Sequence, residues 1–442
     1  MGRLFGTDGI RGVANLDLTP ILAYDLGRAV GHLLEAFGRR VVIGQDTRRS
    51  GDMLVAAVSA GLASVGADAT QLGVVTTPCL AHVAAGGDFA AGIMVSASHN
   101  PAADNGLKVV SGGRKIDAEI EEELERLIFQ AESLPGRLNA EIGRITRDST
   151  PIAAYRATLI AQAGDALRGM RIAIDCANGS TSAIAPDLFR ELGASVTVLS
   201  ASPDGSNINL DCGSTHPGAL AEAVLAGGLE LGMAFDGDGD RMIAVDDRGS
   251  IVDGDGMMGI CALASLAAGT LRNGILVTTV MSNGGLERAI AAAGGRIVRT
   301  QVGDRHVLEA MERNDAALGG EQSGHIIFRD LAATGDGMLT GIQLARTLRA
   351  ADASLSELAE RIPRVPQVMI NSSVRHRDQW EIDPEFSAAV AAAEARLGAR
   401  GRILVRPSGT EPKIRIMVEG DDADAINQIA HELSELAHAR LN

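Results

Sequence analysis

The sequence of 442 residues predicts an α/β protein with three tandem related domains carrying mixed sheets, followed by a smaller C-terminal α+β domain. Three observations lead there. A unit of apolar strand, Gly-containing turn, Ala/Leu-rich helix, Gly and second strand recurs three times, beginning at "RRVVIGQDTRRSGDML", "MRIAIDCANGSTSAI" and "GILVTTVMSNGGLERAI". Each copy ends in a β-rich run, "VGADATQLGVV", "LGASVTVLSAS" and "GGRIVRTQVGD". Short buried strands alternating with longer helices imply right-handed βαβ crossovers and mainly parallel sheets. The 53 glycines suit many tight strand-to-helix turns, and the length allows about three domains of roughly 150 residues.

Taken in order, the expected domains span 1–150, 151–252, 253–364 and 368–442. "ESLPGRLNAEIGRITRDSTPIAAY" links the first to the second, and "VDDRGSIVDGDGMM" the second to the third. The proline-punctuated "RIPRVPQVMINSSV" reads as the linker into the last domain. That domain should hold a long helix through "PEFSAAVAAAEARLG", two β-rich runs, "GRILVRPSG" and "KIRIMVEG", and an amphipathic helix from Asp422 to Leu441.

Composition narrows the function. A formal net charge of −16 argues against a general nucleic-acid or membrane-surface binder, so an anionic ligand must be held by local arginines, lysines and backbone amides. Cys79, Cys176, Cys212 and Cys261 are far apart and form no CxxC pair, which suggests buried thiols in a reducing compartment. "MGRLFGTDGIRG" has no apolar signal core and no myristoylation pattern, and no apolar run reaches membrane-spanning length. A soluble cytoplasmic protein is expected.

Four loops could carry chemistry. "VSASHNP" places Ser98 where it could be a nucleophile, a helix cap or an ordinary loop hydroxyl. In an extended segment Ser98 and His99 would point to opposite faces, so His99 is a poor base for Ser98, and the absence of a GxSxG elbow disfavours a hydrolase triad. In "AFDGDGDRMIAVDD", Asp236, Asp238 and Asp240 would repel one another without a cation, and their all-oxygen donors select Mg²⁺, Mn²⁺ or Ca²⁺. Arg241 and Asp247 occupy the sixth and twelfth positions, where an EF-hand needs Gly and Glu. The alternative is a solvated acidic turn. "RPSGTEPKIR" combines Arg406, Ser408, Gly409, Thr410 and Arg415 as a phosphate clamp, or as a hairpin with solvated arginines. "GGEQSGHIIF" puts Glu321, Ser323 and His325 at alternate positions, which would share one side of an extended segment and could bind a sugar, or form a plain loop. A metal loop and an anion clamp in one chain favour a serine that handles phosphoryl groups, since such transfer needs a positioned oxygen, charge neutralisation and in-line geometry.

"GTDGIRG", "SASHNP", "DGDGDR", "GEQSGH" and "RPSGTEP", in this order and over essentially the whole chain, resemble the α-D-phosphohexomutase superfamily. The opening motif, Ser96 and Gln322 look most like its bacterial branch acting on glucosamine phosphates, with mannose and glucose phosphates as alternatives. The resemblance implies four domains around a central cleft. It also implies exchange between glucosamine 6-phosphate and glucosamine 1-phosphate through a phosphoserine and a 1,6-bisphosphate, feeding cell-wall precursors. Ser98 matches the phosphorylated serine, and with Asp236, Asp238 and Asp240 it would hold one Mg²⁺ per subunit. Glu321 and Ser323 match groups that bind the 3- and 4-hydroxyls, and Arg406, Ser408, Gly409, Thr410 and Arg415 the site of the non-reacting phosphate. Arg11, Lys108, Arg241 and His325 match polar active-site positions, among which the acid and base are unassigned.

Glucosamine 1,6-bisphosphate or glucose 1,6-bisphosphate is the implied activator. The partner is a small phosphorylated hexosamine rather than nucleic acid or membrane. A homodimer, and an activating kinase or autophosphorylation, are compatible with this picture. Two other classes stay open: a serine-dependent sugar phosphatase, which needs no second phosphate clamp, and a catalytically silent sugar-phosphate sensor.

Overall fold

The computed structural model describes residues 4–6, 8–407 and 412–442. It comprises two compact units, Met1–Thr279 with Ala293–Arg361, and Val280–Ala292 with Ile362–Asn442.

The three-fold recurrence in the sequence appears in the first unit as one four-strand pattern drawn three times. In the first copy Arg40–Gln45 is central, paired in parallel with Asp68–Val74 on one side and Phe89–Val95 on the other, and Phe89–Val95 pairs antiparallel with Asp104–Ser111. The second copy repeats this with Arg171–Asp175 between Ser195–Leu199 and Leu231–Phe235, then Met242–Val245 antiparallel. The third uses Ile275–Thr279 between Arg296–Thr300 and Leu318–Gly320, then Ile326–Phe328 antiparallel. In every copy the second-to-third connection passes over the central strand, and the third strand leads by a short loop into the antiparallel fourth. The first sheet is extended beyond this pattern by Phe5–Gly6, Gly9–Val13, Arg114–Lys115 and Ile145–Arg147.

Local signals explain the elements. Phe89–Val95 is an unbroken apolar run, buried at every position, as a strand covered on both faces must be. Thr76 caps helix Thr77–Ala85 by accepting from the Cys79 amide, with Pro78 in the first turn, where a missing N–H costs nothing. Asp336 caps Gly337–Ala351 in the same way through the Leu339 amide. Leu26, Leu54, Val58, Leu62, Ile43, Ile93 and Leu107 fill the first core, each worth about 1.5–3 kcal/mol of burial. The four cysteines are buried free thiols, as expected.

The C-terminal part of the second unit is an antiparallel sheet in the order Gln367–Ser373, Lys413–Gly420, Gly401–Pro407, with helices Pro384–Leu397 and Ala423–Arg440. Phe386, Ile414, Ile416, Val418, Ile426, Ile429 and Leu433 form its core. The final helix falls where its amphipathic pattern puts it, capped by Asp422. One expectation is corrected: "QVMINSS" is a strand, not linker. Its alternation is short and half-buried, with Val368 and Ile370 against the core, and the neighbouring prolines mask it.

Candidate active site

The three chemistry-bearing loops of the first unit occupy one topological slot. Ser98 lies between the third and fourth strands of the first copy, the aspartates between those of the second, and Glu321 to His325 between those of the third. Each loop leaves the C-terminal end of a parallel strand, where open α/β sheets place their ligands.

Ser98 is fully buried and adopts a left-handed backbone conformation with φ of +53°, rare for a residue with a side chain. Its Oγ donates to Asp236 Oδ2 at 2.5 Å, and its amide donates to Ser96 Oγ at 3.0 Å. The second domain comes close enough that a Cβ on Gly237 would lie 2.5 Å from the Ser98 carbonyl oxygen. The left-handed turn overturns the expectation for His99. Because the segment is not extended, the His99 Nδ1 comes within 3.3 Å of Ser98 Oγ and 3.2 Å of an Arg241 guanidinium nitrogen. Burial, with Arg241 and Arg11 nearby, pushes the His99 imidazole down to about 4, so it is neutral near pH 7.

Asp236, Asp238 and Asp240 are buried, with one oxygen of each within 4.8 Å of the others. Burial, then the two neighbouring carboxylates, pushes Asp236 well above the ordinary range, and burial with Asp238 also raises Asp240. Burial opposes the charge of Asp238 too, but Lys108 at 2.8 Å and the Thr77 hydroxyl at 2.5 Å outweigh it and hold this carboxyl low. Asp238 Oδ1 and Asp240 Oδ1 are buried without a hydrogen-bond partner. Orphaned buried carboxylate oxygens in an all-oxygen set are what a hard divalent cation would satisfy, so the residues fit the expected metal.

The polar residues expected around this cluster are close to it. Lys108 Nζ bridges Asp238 and Asp8, each at 2.8 Å, and these carboxylates raise it above the ordinary lysine value despite the opposing effect of burial. Arg11 is ion-paired with Asp8. The Arg241 amide donates to Asp236 Oδ1 at 3.1 Å, and His325 Nε2 lies 4.0 Å from Asp240 Oδ2. The sugar-loop expectation needs correction: residues 321–325 form a tight turn rather than an extended run. The Gly324 amide donates to the Glu321 carbonyl at 3.0 Å, Glu321 and His325 are buried, and Ser323 is exposed. Gly324, at φ of +91°, lies so close to Met242 that a Cβ would come within 2.0 Å of its carbonyl oxygen.

Sequence reasoning missed Asp8, Thr77, Lys115 and Asp304. Lys115 spans Asp8 at 3.1 Å and Asp304 at 3.5 Å, and the Gly303 amide next to Asp304 donates to Glu321 Oε1 at 3.0 Å. Only "TDG" and "VGDR" hint at Asp8 and Asp304, and an acidic residue beside a glycine is too common to single out.

In the second unit Arg406 and Arg415 are direct partners across antiparallel strands, so both side chains leave one face of the sheet. Guanidiniums on one face are placed where both could grip a common anion. Ser408, Gly409 and Thr410 lie outside the described residues.

Models of the phosphoglucomutase/phosphomannomutase family match in register: alpha/beta/alpha domain I over residues 2–135, domain II over 153–249, domain III over 253–365 and the C-terminal domain over 369–436. The chain is 49% identical over 441 residues to a phosphoglucosamine mutase of Moorella thermoacetica, covering 99% of each. It is 50% identical over 447 residues to one of Symbiobacterium thermophilum, covering 100% of each. The X-ray structure of a phosphoglucomutase/phosphomannomutase family protein from Burkholderia thailandensis superposes with a TM-score of 0.85 at 27% identity, covering 99% of this chain and 97% of that one. With all four modules present in order, the chain belongs to the phosphoglucomutase/phosphomannomutase family.

Proposed function

We propose that the protein is an isomerase that interconverts glucosamine 6-phosphate and glucosamine 1-phosphate through a phosphorylated Ser98. The observation that carries this reading is the buried Ser98 hydroxyl set on Asp236, at the edge of a three-carboxylate cluster. The choice of sugar is supported by full-length identity near 50% to proteins named phosphoglucosamine mutase. The four domains, 1–150, 151–252, 253–364 and 368–442, carry in turn the phosphoserine, metal, sugar and phosphate loops.

Phospho-Ser98 gives its phosphoryl group to O1 of glucosamine 6-phosphate: the P–Oγ bond breaks and Oγ takes a proton from an acid in the site, a P–O1 bond forms, and the O1 proton passes to a base in the site. The 1,6-bisphosphate then turns. Its O6 phosphoryl group passes to Ser98 as P–O6 breaks and P–Oγ forms, the Oγ proton passes to a base, O6 takes a proton, and glucosamine 1-phosphate leaves. Lys108, which bridges Asp238 and Asp8, contributes positive charge beside the cluster. Asp236, Asp238, Asp240 and Ser98 would hold one Mg²⁺ per subunit, which supplies charge neutralisation for phosphoryl oxygens. Glu321 and Ser323 bind the sugar hydroxyls, while Arg406 and Arg415, with Ser408, Gly409 and Thr410, hold the phosphate that is not reacting. A hexosamine or hexose 1,6-bisphosphate primes an unphosphorylated enzyme. Coupled assays on glucosamine, glucose and mannose 6-phosphates side by side test the reading. The highest kcat/KM belongs to glucosamine 6-phosphate, and a preference for either other sugar would reassign the substrate.

A further inference from the structure

Ser98 holds a backbone conformation that a non-glycine residue resists, and something must hold it there. The surrounding contacts converge on Arg48, a residue in the loop after the central strand of the first repeat. Its side chain is fully buried and is fixed by Asp46, whose Oδ2 accepts from Arg48 Nε at 2.9 Å. The remaining donors of the guanidinium are spent on the backbone of the serine loop. One terminal nitrogen donates to the carbonyls of Ser98 at 2.9 Å and Asn100 at 2.8 Å. The other donates to the Asp104 carbonyl at 2.9 Å and to the Pro101 carbonyl. The same Asp46 accepts from Ser96 Oγ at 2.5 Å, and Ser96 Oγ in turn accepts from the Ser98 amide. From the second domain, Asn209 Nδ2 donates to the Ser98 and Asn100 carbonyls at 2.9 and 3.0 Å.

We propose that Arg48 is a positioning residue for phosphoryl transfer: by gripping four carbonyls of one loop from a single rigid plane, it keeps Ser98 in the conformation that presents Oγ to the carboxylate cluster. The proposal rests on the reading of Ser98 as phosphoryl carrier. A planar fork with five donors can serve four carbonyls and a carboxylate together, which an ammonium with three donors cannot. Arg48 donates to none of the residues assigned to sugar or phosphate binding, so its loss acts on the transfer step and not on substrate affinity.

The test is Arg48→Lys in the full chain, with folding checked by thermal melting. Misplacing the acceptor oxygen by about 1 Å predicts a fall in kcat of about 100-fold. KM for glucosamine 6-phosphate stays within a small factor of the parent's, and phosphorylation of Ser98 by the 1,6-bisphosphate, followed by intact mass, slows as much as kcat does. In Arg48→Ala, added guanidinium restores part of kcat. A folded Arg48→Lys with parental kcat, or one whose loss lies wholly in KM, overturns the proposal. If neither arginine variant folds, Asn209→Ala removes the two bonds from the other side. It should lower kcat at constant KM, and parental kcat there is the refuting result. Ser98→Ala separates the two ideas: if it is inactive and unphosphorylated while Arg48→Lys matches the parent, only the positioning role fails. If Ser98→Ala still accepts phosphate at another residue, the carrier assignment fails and takes the proposal with it.

Discussion

Replacing Asp238 with Asn removes one charge from the carboxylate cluster without changing its size, and two opposing effects set the stability of the variant. Asp238 is one of two carboxylates on the buried Lys108, each at 2.8 Å, and because Asp8 stays on the lysine the loss does not exceed the roughly 3–5 kcal/mol of a buried pair broken outright. The same change relieves repulsion between carboxylates no more than 4.8 Å apart, at least about 3.5 kcal/mol against one ionised neighbour at an effective dielectric of 20. The two nearly cancel, so the metal-free variant should unfold within about 2 kcal/mol of the metal-free parent. Cation affinity has no such compensation. At a Mg²⁺ concentration 100 times the parent's Kd, binding stabilises the parent by about 2.7 kcal/mol, and a 100-fold weaker variant keeps only about 0.4 kcal/mol. Thermal or urea unfolding, with chelator and across a Mg²⁺ titration, separates the two effects from the loss of affinity. If Asp238→Asn titrates like the parent, the metal assignment is wrong.

Further outcomes are expected. Ser98→Ala should lose its phosphate by intact mass and about four decades of turnover. Arg415→Lys keeps the charge but loses the bidentate fork, about 1–3 kcal/mol, so KM for glucosamine 6-phosphate rises and more 1,6-bisphosphate escapes into solution, read by quenched flow. Burial pushes the Asp336 carboxyl from the ordinary 3.8 up to about 6, so its stabilising effect is complete below about pH 4 and is lost as pH rises through about 6. A carboxyl raised that far corresponds to about 3 kcal/mol, so the stability of Asp336→Asn relative to the parent should rise by about that much between pH 4 and pH 7 in urea titrations.

Much of this architecture was legible in the residues. The triple strand–helix unit, the final helix and the aspartate loop all rest on local signals: apolar periodicity, a cap, and three carboxylates crowded into one short glycine-spaced loop. What was not legible depends on distance in space. An extended backbone would send Ser98 and His99 to opposite faces, whereas the loop turns at a left-handed Ser98 whose carbonyl accepts from Arg48, fifty positions earlier in the chain. Glu321 and His325 look like alternate positions of a strand but close a tight turn whose glycine meets Met242 of another domain. Asp8, Lys115 and Asp304 become recognisable only when three separate segments are brought together. That the three loops share one slot of a repeated fold needed the strand pairing itself.

The central claim is that Ser98 carries a phosphoryl group and takes one back from the same sugar. Protein phosphorylated with labelled phosphate, mixed with a slight excess of glucosamine 6-phosphate and quenched within a single turnover, tests this directly. Label should leave Ser98, appear first in glucosamine 1,6-bisphosphate and then at C1 of glucosamine 1-phosphate, while Ser98 regains unlabelled phosphate. Label released instead as inorganic phosphate, with no labelled bisphosphate at any time, would mean hydrolysis and contradict the claim.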